Sequence, residues 1–300
     1  GAIKPELSYA GDVEFGPAAA LDSFQELHLE WFDRHLKQTG DGVELPPLRL
    51  FVMGGGSGRR TPAGRLMHGG RWRDESEWPL ARTQFSPYYL HGDGSLQREP
   101  PPAEDCATSY RFDPSRPVPS IGGNVSSLGE LGPLPSGVAE STFSPRDCRM
   151  HEILSSGGYD QVESEKFFGW EAPYLPLGSR PDVLVFQTCS LEEDLEVTGP
   201  IEVRLWVSSS APDTDFTAKL LDVYPPSRWY PRGYALNLTD SITRLRYRNG
   251  RDLAELLSAG QIDQITITLY PTANLFLRGH RIRLDVSSSN FPRFDVNPNT

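Results

Sequence analysis

Ile265-Thr266-Ile267-Thr268-Leu269, followed after a turn by Arg281-Ile282-Arg283-Leu284-Asp285-Val286, decides the fold class of this chain. Apolar side chains stand at every second position and polar ones between them, the pattern of a strand with one face on a core and the other in water. Ile201-Glu202-Val203-Arg204-Leu205-Trp206-Val207 repeats it. Amphipathic strands in this number predict a mostly β protein built as a two-sheet sandwich. Sandwich strands are expected at 183–188, 194–209, 214–224, 233–248, 262–270 and 280–290, with Gly199-Pro200 breaking the second run.

Upstream the periodicity changes. Residues 22–39 read as a helix, with Asp22 as N-cap and Gln25 closing a capping box. Phe24, Leu27, Trp31 and Phe32 recur at helical spacing, and Gly40 stands where a left-handed C-cap belongs. Leu48-Arg49-Leu50-Phe51-Val52-Met53 then ends in Gly54-Gly55-Gly56. A helix followed by such an apolar run predicts the last helix–strand step of an α/β sheet. Residues 54–82 read as irregular, and a boundary is expected near residue 82. Tyr88-Tyr89-Leu90 and Ser109-Tyr110-Arg111-Phe112 read as short strands. Residues 113–181 are dominated by Pro, Gly and Ser, an excursion too long for a plain connection.

Composition narrows the function classes. The 300 residues carry a formal net charge of −11, which argues against a nucleic-acid surface and against attraction to anionic membranes. No stretch approaches the roughly 20 apolar residues that cross a bilayer. Cys106, Cys148 and Cys189 are odd in number and far apart, so no disulfide framework is expected. Asn124-Val125-Ser126 and Asn237-Leu238-Thr239 match the glycosylation sequon, a match common by chance. Gly1 and Thr300 read as cut ends, so a signal peptide would lie outside the chain and a cytoplasmic location is only favoured.

Candidate chemistry is sparse. Gly55-Gly56-Ser57-Gly58 starts like a nucleophile elbow but has Arg59 where Gly is required, and as a phosphate loop it lacks the Lys. His68-Gly69-Gly70 resembles an oxyanion-hole element with no nucleophile to serve, and reads as a turn. His28 and His35 are two helical turns apart, too far to share a metal. Asp213, Asp215 and Asp222 lack the Gly and terminal Glu of a calcium loop. With Lys219 on the same strand they read as cross-strand charge pairs. Alternation puts Thr214, Phe216, Ala218 and Leu220 on the core face. Asp213, Asp215, Thr217 and Lys219 are placed on a face toward solvent, a catalytic domain or a partner subunit. Ser208-Ser209-Ser210 and Ser287-Ser288-Ser289-Asn290 end two strands and read as structural. No metal, cofactor or catalytic residue is assigned.

Several blocks together carry a resemblance. Trp31-Phe32-Asp33-Arg34-His35-Leu36-Lys37, Phe51-Val52-Met53-Gly54, and Arg71-Trp72-Arg73-Asp74-Glu75 with Trp78-Pro79 resemble the end of the catalytic domain in the cocaine esterase / X-prolyl dipeptidyl peptidase family of serine hydrolases. In the β part, Glu196-Val197-Thr198-Gly199-Pro200, Trp206-Val207-Ser208-Ser209-Ser210, Asp213-Thr214-Asp215-Phe216-Thr217-Ala218-Lys219-Leu220, Gly279-His280-Arg281-Ile282 and Ser287-Ser288-Ser289-Asn290-Phe291-Pro292-Arg293-Phe294-Asp295 are similar to its C-terminal domain. The resemblance implies an α/β-hydrolase tail at 1–82 and a jelly-roll sandwich at 83–300. It implies a Ser-Asp-His triad upstream of Gly1, so no catalytic residue carries over onto this chain. Small acyl esters, amides or X-Pro peptides would be the parent's substrates, with a homo-oligomer possible. The competing reading is a stand-alone jelly-roll module that binds carbohydrate on Trp206, Trp229 and Tyr230, or that mediates assembly.

Overall fold

The computed structural model describes residues 7–21, 24–37, 46–102, 107–125, 154–250 and 252–300. Strands β1 (Tyr9–Ala10) and β2 (Val13–Glu14) form a hairpin ahead of helix α1 (Phe24–Phe32), whose next turn, Asp33–Lys37, is a π-helix. Then come β3 (Leu48–Gly54), β4 (Leu66–Met67), β5 (Gly70–Glu75), β6 (Tyr89–Leu90) and β7 (Leu96–Gln97). The remaining strands are β8 (Leu184–Gln187), β9 (Leu195–Ser208), β10 (Asp215–Tyr224), β11 (Tyr234–Arg244), β12 (Ile262–Phe276) and β13 (Arg281–Ser287). The proposed N-cap Asp22 and C-cap Gly40 lie outside the described residues.

Two four-stranded sheets make the sandwich, ordered β11-β10-β13-β8 and β5-β3-β12-β9. The alternation read from the sequence sets the packing. Val203, Leu205 and Val207 of β9 and Ile265, Ile267 and Leu269 of β12 are buried, while Trp206 and Ile262 on the other face stay exposed. Phe216, Ala218 and Leu220 of β10 and Ile282, Leu284 and Val286 of β13 meet them across one continuous core. Each such aliphatic side chain contributes about 1.5–3 kcal/mol on leaving water, so the inner faces dominate stability.

Four expectations change. The strand Leu48–Gly54 does not close an α/β sheet: it pairs in parallel with β12, Asn274 opposite Met53, and antiparallel with β5. The boundary expected near residue 82 therefore does not divide two sheets, because β3 and β5 both belong to the sandwich. An apolar run of this length fits either setting, and only the pairing decides. Gly54 allows the junction: at φ 92° its backbone comes so close to β12 that a Cβ there would sit 2.3 Å from the Leu275 carbonyl oxygen. Second, residues 70–75, read as irregular, form a strand. Third, Gly199-Pro200 does not break β9, and the irregularity falls opposite, between Leu269 and Thr272, letting β12 run on to Phe276. Fourth, Ser109–Phe112 is not a strand, and Tyr89–Leu90 pairs with β7 instead.

The Pro- and Gly-rich excursion has a definite place where it is described. Its two described arms, 113–125 and 154–181, lie over the outer face of the β11-β10-β13-β8 sheet. Val118, Ile121, Phe167, Leu177 and Val183 form a second, smaller apolar cluster there. Backbone bonds fasten the arms: the Ser120 N–H donates to the Phe291 carbonyl at 2.7 Å and the Gln161 N–H to that of Ala235 at 3.1 Å.

Candidate functional site

Five side chains from four separate stretches converge at the end of the sandwich where β10 and β12 finish and β13 begins. His68, on the loop between β4 and β5, is fully buried. Its Nε2 lies 2.8 Å from Asn274 Oδ1, and its Nδ1 lies 2.5 Å from the Tyr224 hydroxyl. Asn274 Nδ2 donates to Asp222 Oδ2 at 3.3 Å, and the other Asp222 oxygen lies 2.7 Å from His280 Nδ1. The chain of bonds fixes the tautomer. Since Asn274 gives its amide hydrogen to Asp222, its Oδ1 must accept, so His68 carries its proton on Nε2 and accepts from Tyr224 on Nδ1. Burial pushes the His68 imidazole below its ordinary range, against the pull of the Asp222 carboxylate. Tyr224, whose ring lies tilted against His280 with centroids 4.0 Å apart, is itself held well above the usual phenol range by burial.

The His68 backbone performs a second task. Its N–H and that of Gly69 both donate to the Glu14 carbonyl, and the Leu66 N–H donates to that of Asp12. Val13–Glu14 thereby pairs in parallel with Leu66–Met67, and Phe15 packs edge-on against the His68 ring. An open groove of about 360 Å³ lies beside this seat, lined by Phe15, Pro17, Ala18, Gly55, Gly70 and Arg71. His68 was expected to be an ordinary turn residue. The alternation carries no signal for it, because its partners stand 156 and 206 residues away.

The other candidates are placed as follows. Ser57 receives a 3.4 Å bond from the Arg59 N–H in an exposed turn. The His68, His91 and His280 rings bond to Tyr224 and Asn274, to the Glu99 carbonyl, and to Asp222, and none of these bonds reaches a serine. His28 is exposed on α1 and His35 on the π-helical turn after it, 4.5 Å from the Trp31 ring. Among the described residues no group of three or more His, Cys, Asp or Glu could hold a metal ion. No described helix is long and apolar enough to cross a membrane. Asn237 is buried, accepting from the Tyr159 N–H, whereas Asn124 is exposed. Cys189 is free and exposed, and Cys106 and Cys148 lie outside the described residues. Trp206 and Trp229 sit toward opposite ends of β10, and Tyr230 turns inward onto Tyr234 at 5.0 Å. The three do not form one platform.

The acidic face of this strand, expected toward solvent, a catalytic domain or a partner subunit, is instead covered by this chain's own residues. Asp213, Asp215 and Thr217 are buried and Lys219 is half-buried: the excursion covers Thr217 and Lys219, and Asn297 of the C-terminal segment covers Asp213 and Asp215. Arg244, directly opposite on β11, grips Asp215 through two bonds of 2.8 and 2.9 Å, and Arg246 holds Asp213 at 2.6 Å. Asn297 Nδ2 bridges the two carboxylates. Lys219 stands between Asp240 and Asp285 in the ladder and donates to Gln161 Oε1 at 2.8 Å. Ser289, Asn290 and Ser120 complete the layer: Val118 N–H donates to Ser289 Oγ, and Ser120 Oγ donates to Asn290 Oδ1. Ser289 thus tethers the excursion at the end of β13, and Arg293 closes on Asp240.

The fold is thus a mostly β sandwich with paired charges on its covered outer face and a surface helix that exposes apolar side chains. The profile of the X-Pro dipeptidyl-peptidase C-terminal non-catalytic domain matches residues 41–300, and the chain belongs to this family. It is 36% identical to cocaine esterase of Rhodococcus sp. (strain MB1 Bresler), over 96% of this chain and 42% of the esterase. Among solved structures, an aminopeptidase from a marine sediment archaeon of the Thaumarchaeota superposes with a TM-score of 0.68 at 28% identity, covering 98% of this chain and 41% of that one. An α-amino acid ester hydrolase gives 0.67 at 26% identity, covering 98% and 42%. The chain thus spans about two fifths of the relatives it matches. These relatives place it in a hydrolase family.

Proposed function

We propose that the chain is the C-terminal part of a serine hydrolase whose Ser-Asp-His triad lies upstream, and that the sandwich supports the catalytic domain and walls its acyl pocket. The observation that carries this reading is the helix. Leu27, Trp31, Phe32 and Leu36 are 42, 50, 49 and 73% exposed, an apolar face that soluble proteins cover. A jelly-roll module standing alone has no use for such a face, whereas the tail of a catalytic domain needs it against the rest of that domain. The parent reaction is acyl transfer: the Ser attacks the carbonyl, the His moves the proton, the Asp orients the His, and backbone N–H groups hold the oxyanion. Esters, amides and X-Pro peptides are the substrate classes, in line with relatives named as esterase, ester hydrolase and aminopeptidase.

The test compares this chain with the same chain joined to its upstream coding sequence, using p-nitrophenyl acyl esters and a fluorophosphonate probe. The longer protein labels one serine stoichiometrically and turns over; the 300 residues alone do neither. Covalent labelling of any serine in the 300-residue chain would end this reading.

A further inference from the structure

We propose that His68 is an acid-released latch: with its ring neutral it holds the segment 12–16 on the end of the sandwich, and protonation of the ring lets that segment go. The argument is geometric. One residue joins two parts of the molecule, its backbone to β2 through Glu14 and its side chain to β10 and β12 through Tyr224 and Asn274. Phe15 leans on the ring itself. The hydrogen-bond polarity around the ring suits only the neutral form. Nδ1 accepts from the Tyr224 hydroxyl, so a proton there sets donor against donor. The hydroxyl must then turn to accept, and its own hydrogen loses the acceptor it has in a buried site.

The groups facing the ring are few. From β10 come Asp222 and Tyr224, from β12 Asn274, from the turn before β13 His280, and from the N-terminal segment Phe15. Asp222 is the one anion among them, and it is already committed to Asn274 and to His280 Nδ1. His280, if charged, repels a second cation. The Glu14 carboxylate turns back to the Gly16 N–H at 3.2 Å. The burial that lowers the affinity of His68 for a proton is relieved as soon as the loop lifts, so proton uptake and loosening of 12–16 are linked.

The experiment is hydrogen exchange on the 300-residue chain between about pH 7.5 and pH 5, corrected for the intrinsic pH dependence, with the β10 amides as internal reference. The amides of Phe15, Leu66, His68 and Gly69 are expected to lose protection at least tenfold relative to β10 in acid. In His68→Gln, whose amide keeps a donor for Asn274 and never titrates, the ratio is expected to stay constant with pH. His280→Gln removes the neighbouring imidazole and should retain the full acid response. Unchanged relative protection of the wild-type segment in acid overturns the latch. So does an acid response that persists in His68→Gln or disappears in His280→Gln. If His68→Gln does not fold, the wild-type and His280→Gln arms still decide. None of these readouts depends on the presence of a catalytic domain.

Discussion

The two faces of β10 are both covered and chemically opposite. On one, Phe216, Ala218 and Leu220 meet the facing sheet in an apolar core. On the other, Thr217 and Lys219 lie under the described arms of the excursion and Asp215 under Asn297, every charge answered by Arg244, Gln161, Asp240 or Asp285. Alternation along a strand is usually taken to separate core from water. Here it separates a core held by solvent exclusion from a layer held by hydrogen bonds and ion pairs. Dispersion and hydrophobic transfer are non-directional and tolerate many arrangements. The polar face tolerates few, since an unpaired buried charge is destabilising by several kcal/mol. The polar layer thereby specifies where a long, Gly- and Pro-rich segment sits, which apolar contact alone would leave loosely defined.

The comparison is tested most strongly from the apolar side. Phe216→Ala is expected to cost about 3–5 kcal/mol in chemical denaturation, as for other buried aromatics. A cost under 1 kcal/mol on the order of a surface change would show that the inner face is not the main source of stability. On the polar face, Asp215→Asn weakens the paired bonds of Arg244 and is expected to cost about 1.5–3 kcal/mol. Expecting little effect, as its position on a solvent-facing strand would suggest, is ruled out by its burial to 1% exposure. If Asp215→Asn is neutral, the bonds from Arg244 and Asn297 do not contribute to holding this face together.

His68 gives the next effect. Its affinity for a proton is lowered in the folded chain, so the unfolded chain binds the proton more readily below the ordinary value of 6.5. The stability it contributes is fully present above that value and falls as the pH drops below it, by at most about 1.4 kcal/mol per pH unit. Urea denaturation between about pH 7.5 and pH 5 should show this slope in the wild type and a shallower one in His68→Gln. Equal slopes would assign the acid sensitivity elsewhere. The smallest effect belongs to α1: Trp31→Ser and Leu36→Ser should change the stability of this chain by no more than about 0.5 kcal/mol, because both side chains already face water. In the protein carrying the upstream sequence, the same changes should lower the melting temperature by several degrees. A large loss in the isolated chain would mean that the helix packs on the sandwich.

Residues 265–269, 281–286 and 201–207 announced their strands because alternation is a local property, set by the two-residue repeat of the backbone and the need to bury one face. The amphipathic helix was legible for the same reason, and so were the core positions Phe216 and Leu220. Family membership was legible in blocks such as Ser287–Asp295. Three matters were decided only by the tertiary structure. Leu48–Gly54 joins the sandwich because β12 continues past its irregularity to offer Asn274 and Leu275 as partners. The charged face of β10 is covered because the excursion far upstream and the segment around Asn297 downstream fold back over it, and a strand's own pattern holds no record of what covers it. His68, Asn274, Asp222 and His280 meet because four stretches end at the same edge of two sheets. A hydrogen bond is short-ranged in space, yet the residues it joins here are as much as 206 positions apart in sequence, so their meeting is a property of the fold.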